Sequence, residues 1–299
     1  MDTLVIEGLK KSFGNKEVLK GLDLNVPGHS IFGFVGKNGA GKTTTMKAVL
    51  GLIAPDGGEI RVCGDRVSYG NTRTNAYIGY LPDVPEFYGF MTAEEYLRFT
   101  GEIAGMDSKA CRLRGGELLS LVGLTGERHR IKGYSRGMKQ RLGIASTLLT
   151  KPRLLIADEP TSALDPLGRR EIIDILSSLR DETTVLFSTH ILSDVERICT
   201  DVAFLDGGVN IISGRISEIK AEYGTDEYLI EADNEEGARG IEAEFPGMKR
   251  GFGCTLEFSE RDHSLHELMR FISEKRIAVS SIIKKEPSLE SLFMEVAGK

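Results

Sequence analysis

The stretch Gly36-Lys37-Asn38-Gly39-Ala40-Gly41-Lys42-Thr43-Thr44 combines glycines, a lysine and hydroxyls at a spacing that wraps backbone N–H groups around a polyphosphate. Glycines let a loop approach phosphate oxygens without a Cβ in the way, and a helix opening at the end of the loop adds partial positive charge. Lys42 is placed to reach the β- and γ-phosphates and Thr43 to ligate Mg²⁺, with Gly36, Asn38, Gly39, Ala40, Gly41 and Thr44 completing the cradle. Far downstream, Arg153-Leu154-Leu155-Ile156-Ala157-Asp158-Glu159-Pro160 is an apolar run that ends in two carboxylates. Asp158 can hold the metal through water, and Glu159, one step further, is placed to polarise a water in line with a γ-phosphate. The competing readings are a chance glycine spacing, easy to find with 35 glycines in 299 residues, and a solvated strand end for Glu159. The agreement of the two distant elements favours a nucleoside triphosphate site.

Such side chains need a scaffold, and the flanking pattern supplies one. Ser30 to Val35 is an apolar run that reads as a buried strand, and Thr43 to Leu50 reads as the start of a helix. Leu4-Val5-Ile6 and the alternation from Val18 to Val26 predict strands with a turn over Lys11 to Asn15, and Gly58 to Val62 predicts another. Thr92-Ala93-Glu94-Glu95 is a capping box, and the helical texture that it opens lasts, with glycine breaks, to Leu149 and Pro152. After the Asp158 strand come a helix from Gly168 to Leu179, a strand over Thr184 to Ser188, a helix after His190 and a strand over Val202 to Leu205. The pattern changes near Gly214 to Gly224. Strands at Tyr228 to Glu231, Cys254 to Phe258 and Ile277 to Ile283 then alternate with helices, one carrying Leu265, Leu268, Met269 and Ile272 as a single apolar stripe.

Bulk properties narrow the partners. The length suggests two domains. A net charge of −6 argues against nucleic acid as a main partner. Cys63, Cys111, Cys199 and Cys254 lie tens of residues apart, which suggests neither a zinc site nor a disulfide framework and fits a reducing cytoplasm. The N-terminal residues lack a basic region followed by an apolar stretch, and no run approaches the length needed to cross a bilayer.

Between the helical segment and Asp158 lies Gly133-Tyr134-Ser135-Arg136-Gly137-Met138-Lys139-Gln140-Arg141, in which Ser135 and Gly137 would start a helix with outward-pointing amides. The order of phosphate loop, this second anion site, Asp158-Glu159, Ser162-Ala163-Leu164-Asp165 and His190 closely resembles the nucleotide-binding subunit of ABC transporters, over roughly residues 1–215. The resemblance implies an α/β P-loop NTPase core with an antiparallel β subdomain and a helical insertion at about 90–150, followed by a small α+β domain at 216–299. It implies two protomers facing head to tail, each ATP held by the phosphate loop of one and by Ser135 and Gly137 of the other, with Asp165 across the interface. Glu159 would be the base, Lys42 and His190 would stabilise the γ-phosphate or attacking water, and Phe13 would stack on adenine. Taken alone, His190 and Phe13 could equally be core residues. An integral membrane permease partner, a cytoplasmic location on the inner face of the membrane, and MgATP as ligand follow from the same resemblance. The last 80 or so residues look like the extension on ATPases of type-two exporters, which points to export.

Two positions depart from that family's pattern. Asp83 stands where glutamine is usual, at the end of the strand Tyr77 to Pro82, and is expected on the metal side of the site; Arg136 stands where the signature commonly has glycine, a departure that many relatives in export systems share. The following segment, Val84 to Met91, carries three aromatics and is expected to receive a cytoplasmic helix of the membrane partner, the alternative being a loop packed on the helical segment. Two rival functions compete. Gly133-Tyr134-Ser135-Arg136-Gly137 fits the G-x-S-x-G of serine hydrolases, but the charged Glu127 to Lys132 cannot be the buried strand such a nucleophile needs. Relatives that clamp DNA or ribosomes favour basic surfaces or two cassettes per chain, against one cassette in an acidic chain here.

Overall fold

The computed structural model describes residues 2–223, 226–260 and 262–297. Its first strands, β1 (Asp2–Phe13) and β2 (Lys16–Pro27), pair antiparallel with Phe13 opposite Lys16. The strand pair is longer and its turn tighter than the sequence suggests, because Gly14 takes φ 58° and lets two residues reverse the chain. β3 (Ile31–Gly36) runs through the phosphate loop into α1 (Lys42–Val49), after which β4 (Gly57–Val62) and β5 (Asp65–Arg66) rejoin the first sheet in the order β2-β1-β4-β5.

β6 (Ile78–Leu81) leads into a helical segment of α2 (Ala93–Ile103), α3 (Ser108–Leu121) and α4 (Arg136–Leu148). The chain then alternates through β7 (Leu154–Asp158), α5 (Pro166–Ser178), β8 (Thr184–Thr189), α6 (Leu192–Ile198) and β9 (Asp201–Asp206), and turns back along β10 (Val209–Arg215). The second sheet has the order β10-β9-β3-β8-β7-β6, parallel throughout except for β10, a strand the sequence reading did not anticipate. Every residue of β3, β7 and β8 is buried, as expected of parallel strands covered on both faces. Leu4, Ile6, Leu22 and Leu24 of the antiparallel sheet share one core with Phe32, Phe34, Met46, Ile156 and Leu186, so the two sheets grip α1 and hold the loop before it.

In the helical segment the capping box forms as predicted: Glu95 N donates to Thr92 Oγ1 at 3.3 Å and Thr92 N donates to Glu95 Oε2 at 2.8 Å. α2 and α3 approach closely at Gly101, where an added Cβ would meet Cys111 Sγ at 2.6 Å.

The chain divides into two compact units, the second spanning Glu218–Glu295. α7 (Ile216–Glu222) spans the division. The second unit holds β11 (Glu227–Ala232), α8 (Glu235–Glu244), β12 (Lys249–Arg250), β13 (Thr255–Ser259), α9 (Leu265–Lys275), β14 (Val279–Lys284) and α10 (Leu289–Ala297) up to Glu295. Its antiparallel sheet, ordered β12-β13-β11-β14, shares a core of Ile230, Leu256 and Phe258 with Ile241 and Leu268. Leu265 and Ile272 pack there too, but Met269 is 54% exposed. The stripe on α9 is therefore narrower than expected, since Met269 follows Leu268 by one position and points a hundred degrees or so away.

Candidate active site

β3, β8 and β7 are neighbours in the sheet, so the phosphate loop, His190 and the Asp158-Glu159 pair emerge side by side at their C-terminal ends, where open α/β sheets place ligands. The loop leads into a helix with no side-chain cap and no acidic residue in its first turn. The amides of that turn lack intrahelical acceptors and point at whatever the loop encloses. Gly41, at φ 115°, has no room for a Cβ, which would meet Leu19 Cδ2 at 2.7 Å, whereas a Cβ on Gly39, at φ 85°, would meet nothing within 4 Å. Gly41 thus meets the hydrophobic wall, and Gly39 leaves the other side of the loop open.

A cleft of about 400 Å³ lies on that open side, lined by Phe13, Lys16, Val18, Asn38, Gly39, Gly41, Lys42, Thr43, Thr44 and Glu159. Phe13, at the end of β1, is 51% exposed and so is not a core residue; Lys11 Nζ lies 5.3 Å from its ring centroid. Ala40, which the sequence places in the cradle, is buried in the core, and Gly36 contributes its carbonyl.

The charged groups form two adjoining sets, one around Glu159 and one around Asp158. Lys42, 6% exposed, donates from Nζ to Gly36 O at 2.6 Å and lies 3.2 Å from Glu159 Oε1. Glu159 Oε2 is 2.9 Å from His190 Nδ1. Thr43 Oγ1 donates to Asp158 Oδ2 at 3.0 Å and Ser188 Oγ donates to Asp158 Oδ1 at 3.1 Å. Burial pushes the Asp158 carboxyl up from its ordinary value, against the two hydroxyl hydrogen bonds. Burial first, then the charges of Asp158 and Asp83, push the Tyr80 phenol up to about 12. Glu159 itself sits at φ 48°, a left-handed conformation that bends the chain off the end of β7 and turns the carboxylate toward Lys42 and His190.

These residues fit a triphosphate with a magnesium ion. A buried ammonium, an uncapped helix and an aromatic at the mouth match phosphate and base, and a hydroxyl bonded to a buried carboxylate is a hard oxygen pair suited to Mg²⁺.

The other residues singled out from sequence lie outside this cluster. Ser135 caps α4, its Oγ accepting from Met138 N at 3.2 Å, with Gly137 in the first turn. It follows a short 3₁₀ turn, Ile131–Gly133, rather than a strand, which removes the hydrolase geometry. Asp165 caps α5, accepting from Gly168 N at 2.9 Å, so that helix starts at Pro166, two residues before the sequence reading had it. Asp83 makes its contacts with Ser162 and Arg136 instead of with Thr43 or Asp158. Sequence reasoning missed Ser188, whose place one strand over from Asp158 shows only in the pairing, and Gln140, buried on α4 and donating to Asp83 O and Pro160 O, both at 3.1 Å. In the aromatic loop, Phe87 packs edge-on against Tyr96 of α2 at 4.9 Å and Tyr88 against Phe99 at 5.6 Å, yet Tyr88 and Phe90 remain 52% and 60% exposed.

Fold and site together define a phosphate-loop ATPase with its acid and histidine on adjacent strands. The chain belongs to the ABC transporter family as an ATP-binding, ATP-hydrolysing subunit. The family profile "ABC transporter" matches residues 19–162, and that of the "ATP-binding protein DrrA1-3-like, C-terminal domain" matches residues 214–297. An uncharacterized ABC transporter ATP-binding protein of Bacillus subtilis, YxlF, is 37% identical over 98% of this chain and 99% of its own. The linearmycin resistance ATP-binding protein LnrL of the same organism is 30% identical over 99% and 98%. A solved ATP-binding subunit of an ABC transporter superposes with a TM-score of 0.66 at 30% identity, covering 74% of this chain and 93% of that one. Membership implies a membrane partner; among the described residues no helix is long and apolar enough to cross a membrane.

Proposed function

We propose that two copies of this chain, or one copy and a related ATPase, close on MgATP at the cytoplasmic face of a separate membrane permease and drive export. The observation that carries the reading is the continuous set Lys42, Glu159 and His190, beside Thr43 and Asp158, at the foot of a cleft rimmed by Phe13. Adenine stacks on Phe13, and the amides of the phosphate loop with Lys42 hold the phosphates. Magnesium, when bound, would be held by Thr43 and Asp158 and would supply positive charge against the phosphates.

Glu159 takes a proton from the attacking water as its oxygen bonds to the γ-phosphorus and the bond to the β–γ bridging oxygen breaks, releasing ADP and phosphate. His190, held by Glu159, orients the water and the γ-phosphate. Ser135 and the α4 amides of the partner protomer complete the shell around the γ-phosphate, so closure depends on the charge that hydrolysis removes. Gly137 leaves that helix start bare, and Asp165 shapes the loop at the interface.

Export is supported by the DrrA-like second unit and by a relative named for linearmycin resistance. The exposed Tyr88 and Phe90 offer the permease a docking surface. Glu159→Gln is the test. It should cut ATP turnover by about 10² to 10⁴ while keeping ATP bound, and sedimentation should then show an ATP-dependent dimer. A monomer at saturating ATP overturns the two-protomer reading. Recovery of this chain from native membranes with a permease would support the location; recovery without any membrane protein would count against it.

A further inference from the structure

We infer that Asp83 is a positioning residue: with Ser162 it holds the Arg136 guanidinium, and through it fixes the start of α4 that presents Ser135 to the nucleotide of the facing protomer. The two residues that depart from the family pattern are thus one device. The inference rests on the two-protomer reading above for what Ser135 faces, but the contacts themselves lie within one chain.

Arg136 Nη2 lies 3.3 Å from Asp83 Oδ1 and 3.3 Å from Ser162 Oγ, and Ser162 donates a short hydrogen bond to the same carboxylate oxygen. The three groups close a triangle, each touching the other two. One turn along α4, Gln140 donates to the backbone carbonyls of Asp83 and Pro160 and is 1% exposed. Residues four apart share a helix face, so Arg136 grips the side chain of Asp83 and Gln140 grips its backbone from the same side. Three segments are thereby tied together: the end of β6, the first turn of α4 capped by Ser135, and the loop from Pro160 to Leu164 that ends at the Asp165 cap of α5.

Charge gives the contact of Arg136 with Asp83 its reason. Arg136 is the first residue of α4, where a cation opposes the helix dipole and would turn away from the amides it crowds. An acid across from it restores the balance and gives the guanidinium a fixed direction. A glycine at 136 would need no such partner, and a neutral glutamine at 83 could not supply one. Both oxygens of Asp158 are engaged by Thr43 and Ser188, and Asp83 has no contact with either hydroxyl.

The half-exposed pair, with side chains 44% and 47% exposed, is worth little as stability. Its value is in orientation, which a double-mutant cycle reads. In the Glu159→Gln background, Asp83→Ala and Arg136→Ala should each raise the ATP concentration for half-maximal dimerisation by about two- to fivefold. The double variant should be no worse than the worse single, and Asp83→Glu should recover part of the loss. The Mg²⁺ dependence of ATP binding by the dilute monomer, followed with a fluorescent ATP analogue, should stay unchanged in Asp83→Ala. Additive effects in the double variant, or a weakened Mg²⁺ dependence in Asp83→Ala, would overturn the assignment. If the Glu159→Gln parent itself fails to dimerise, the two-protomer reading fails alone. Amide exchange then decides the latch: faster exchange over residues 135–140 in both single variants supports it, and unchanged exchange refutes it.

Discussion

At the scale of single residues, Phe13 and Glu159 show how position turns a common side chain into a specific one. Phe13 ends a strand whose inward positions are taken by Leu4, Ile6 and Leu9, and it projects past the sheet edge into the cleft. Phe13→Ala should raise the KM for ATP by about three- to tenfold with little change in kcat, the loss of one aromatic contact, while Phe13→Tyr should keep both; steady-state kinetics over ATP concentration separates the two. The pairing of Lys42 with Thr43, and of Asp158 with Glu159, was legible because each lies within one short motif whose spacing is its function. The triangle of Asp83, Arg136 and Ser162 was not, because its members lie 53, 26 and 79 positions apart and only the packing of α4 brings them together. The resemblance did mark Asp83 and Arg136 as departures from the commoner family pattern.

At the scale of elements, the helical segment is held by local signals that can be tested one at a time. Thr92→Ala removes the hydroxyl that accepts from Glu95 N and should destabilise the protein by about 1 kcal/mol in urea titrations. The Thr92 backbone N–H holds the Glu95 carboxyl below its ordinary value, against the opposing effect of burial. A depressed carboxylate pKa stabilises the fold above the unfolded value and stops doing so as pH falls through the folded one, so the contribution of Glu95 should fade in that acidic window. Melting curves of Glu95→Gln and the parent should differ slightly at neutral pH and converge in that window. Gly101→Ala should cost about 1 to 3 kcal/mol by overpacking, because its methyl would lie 2.6 Å from Cys111 Sγ; Gly101→Ala with Cys111→Ala should recover most of that. Buried parallel strands and capped helices were readable from composition and caps. β10 was missed because Val209 to Arg215 includes Gly214, Ser213 and Asn210 and becomes a strand only through the free edge of β9. The sheet, rather than the segment, decides its structure.

At the scale of the whole molecule, an acidic chain with one cassette and a separate small unit suits a subunit that works beside others. Two such cassettes would bring together what one chain keeps apart, the Lys42 cluster of one and the Ser135 cap of the other. The net charge of −6 carries its own test: ATP turnover at low salt should be unchanged by added DNA or RNA, and stimulation that fades with salt would point to a polyanion as the true partner. The change of pattern read near Gly214 to Gly224 overlaps the start of the second unit at Glu218, and each side of it shows its own apolar periodicity.

The loop between β7 and α5 begins at Glu159 with φ 48° and reaches Ala163 with φ 51°, two left-handed L-residues within five positions. Each such conformation is disfavoured by about 1 to 2 kcal/mol, and Ala163→Gly would relieve one of them. Both bends are built into the backbone of the loop that ends at the Asp165 cap of α5. In the proposed pairing of protomers this loop would meet its counterpart already shaped, and Ala163→Gly should raise the melting temperature while weakening the ATP-dependent dimerisation of the Glu159→Gln variant in sedimentation.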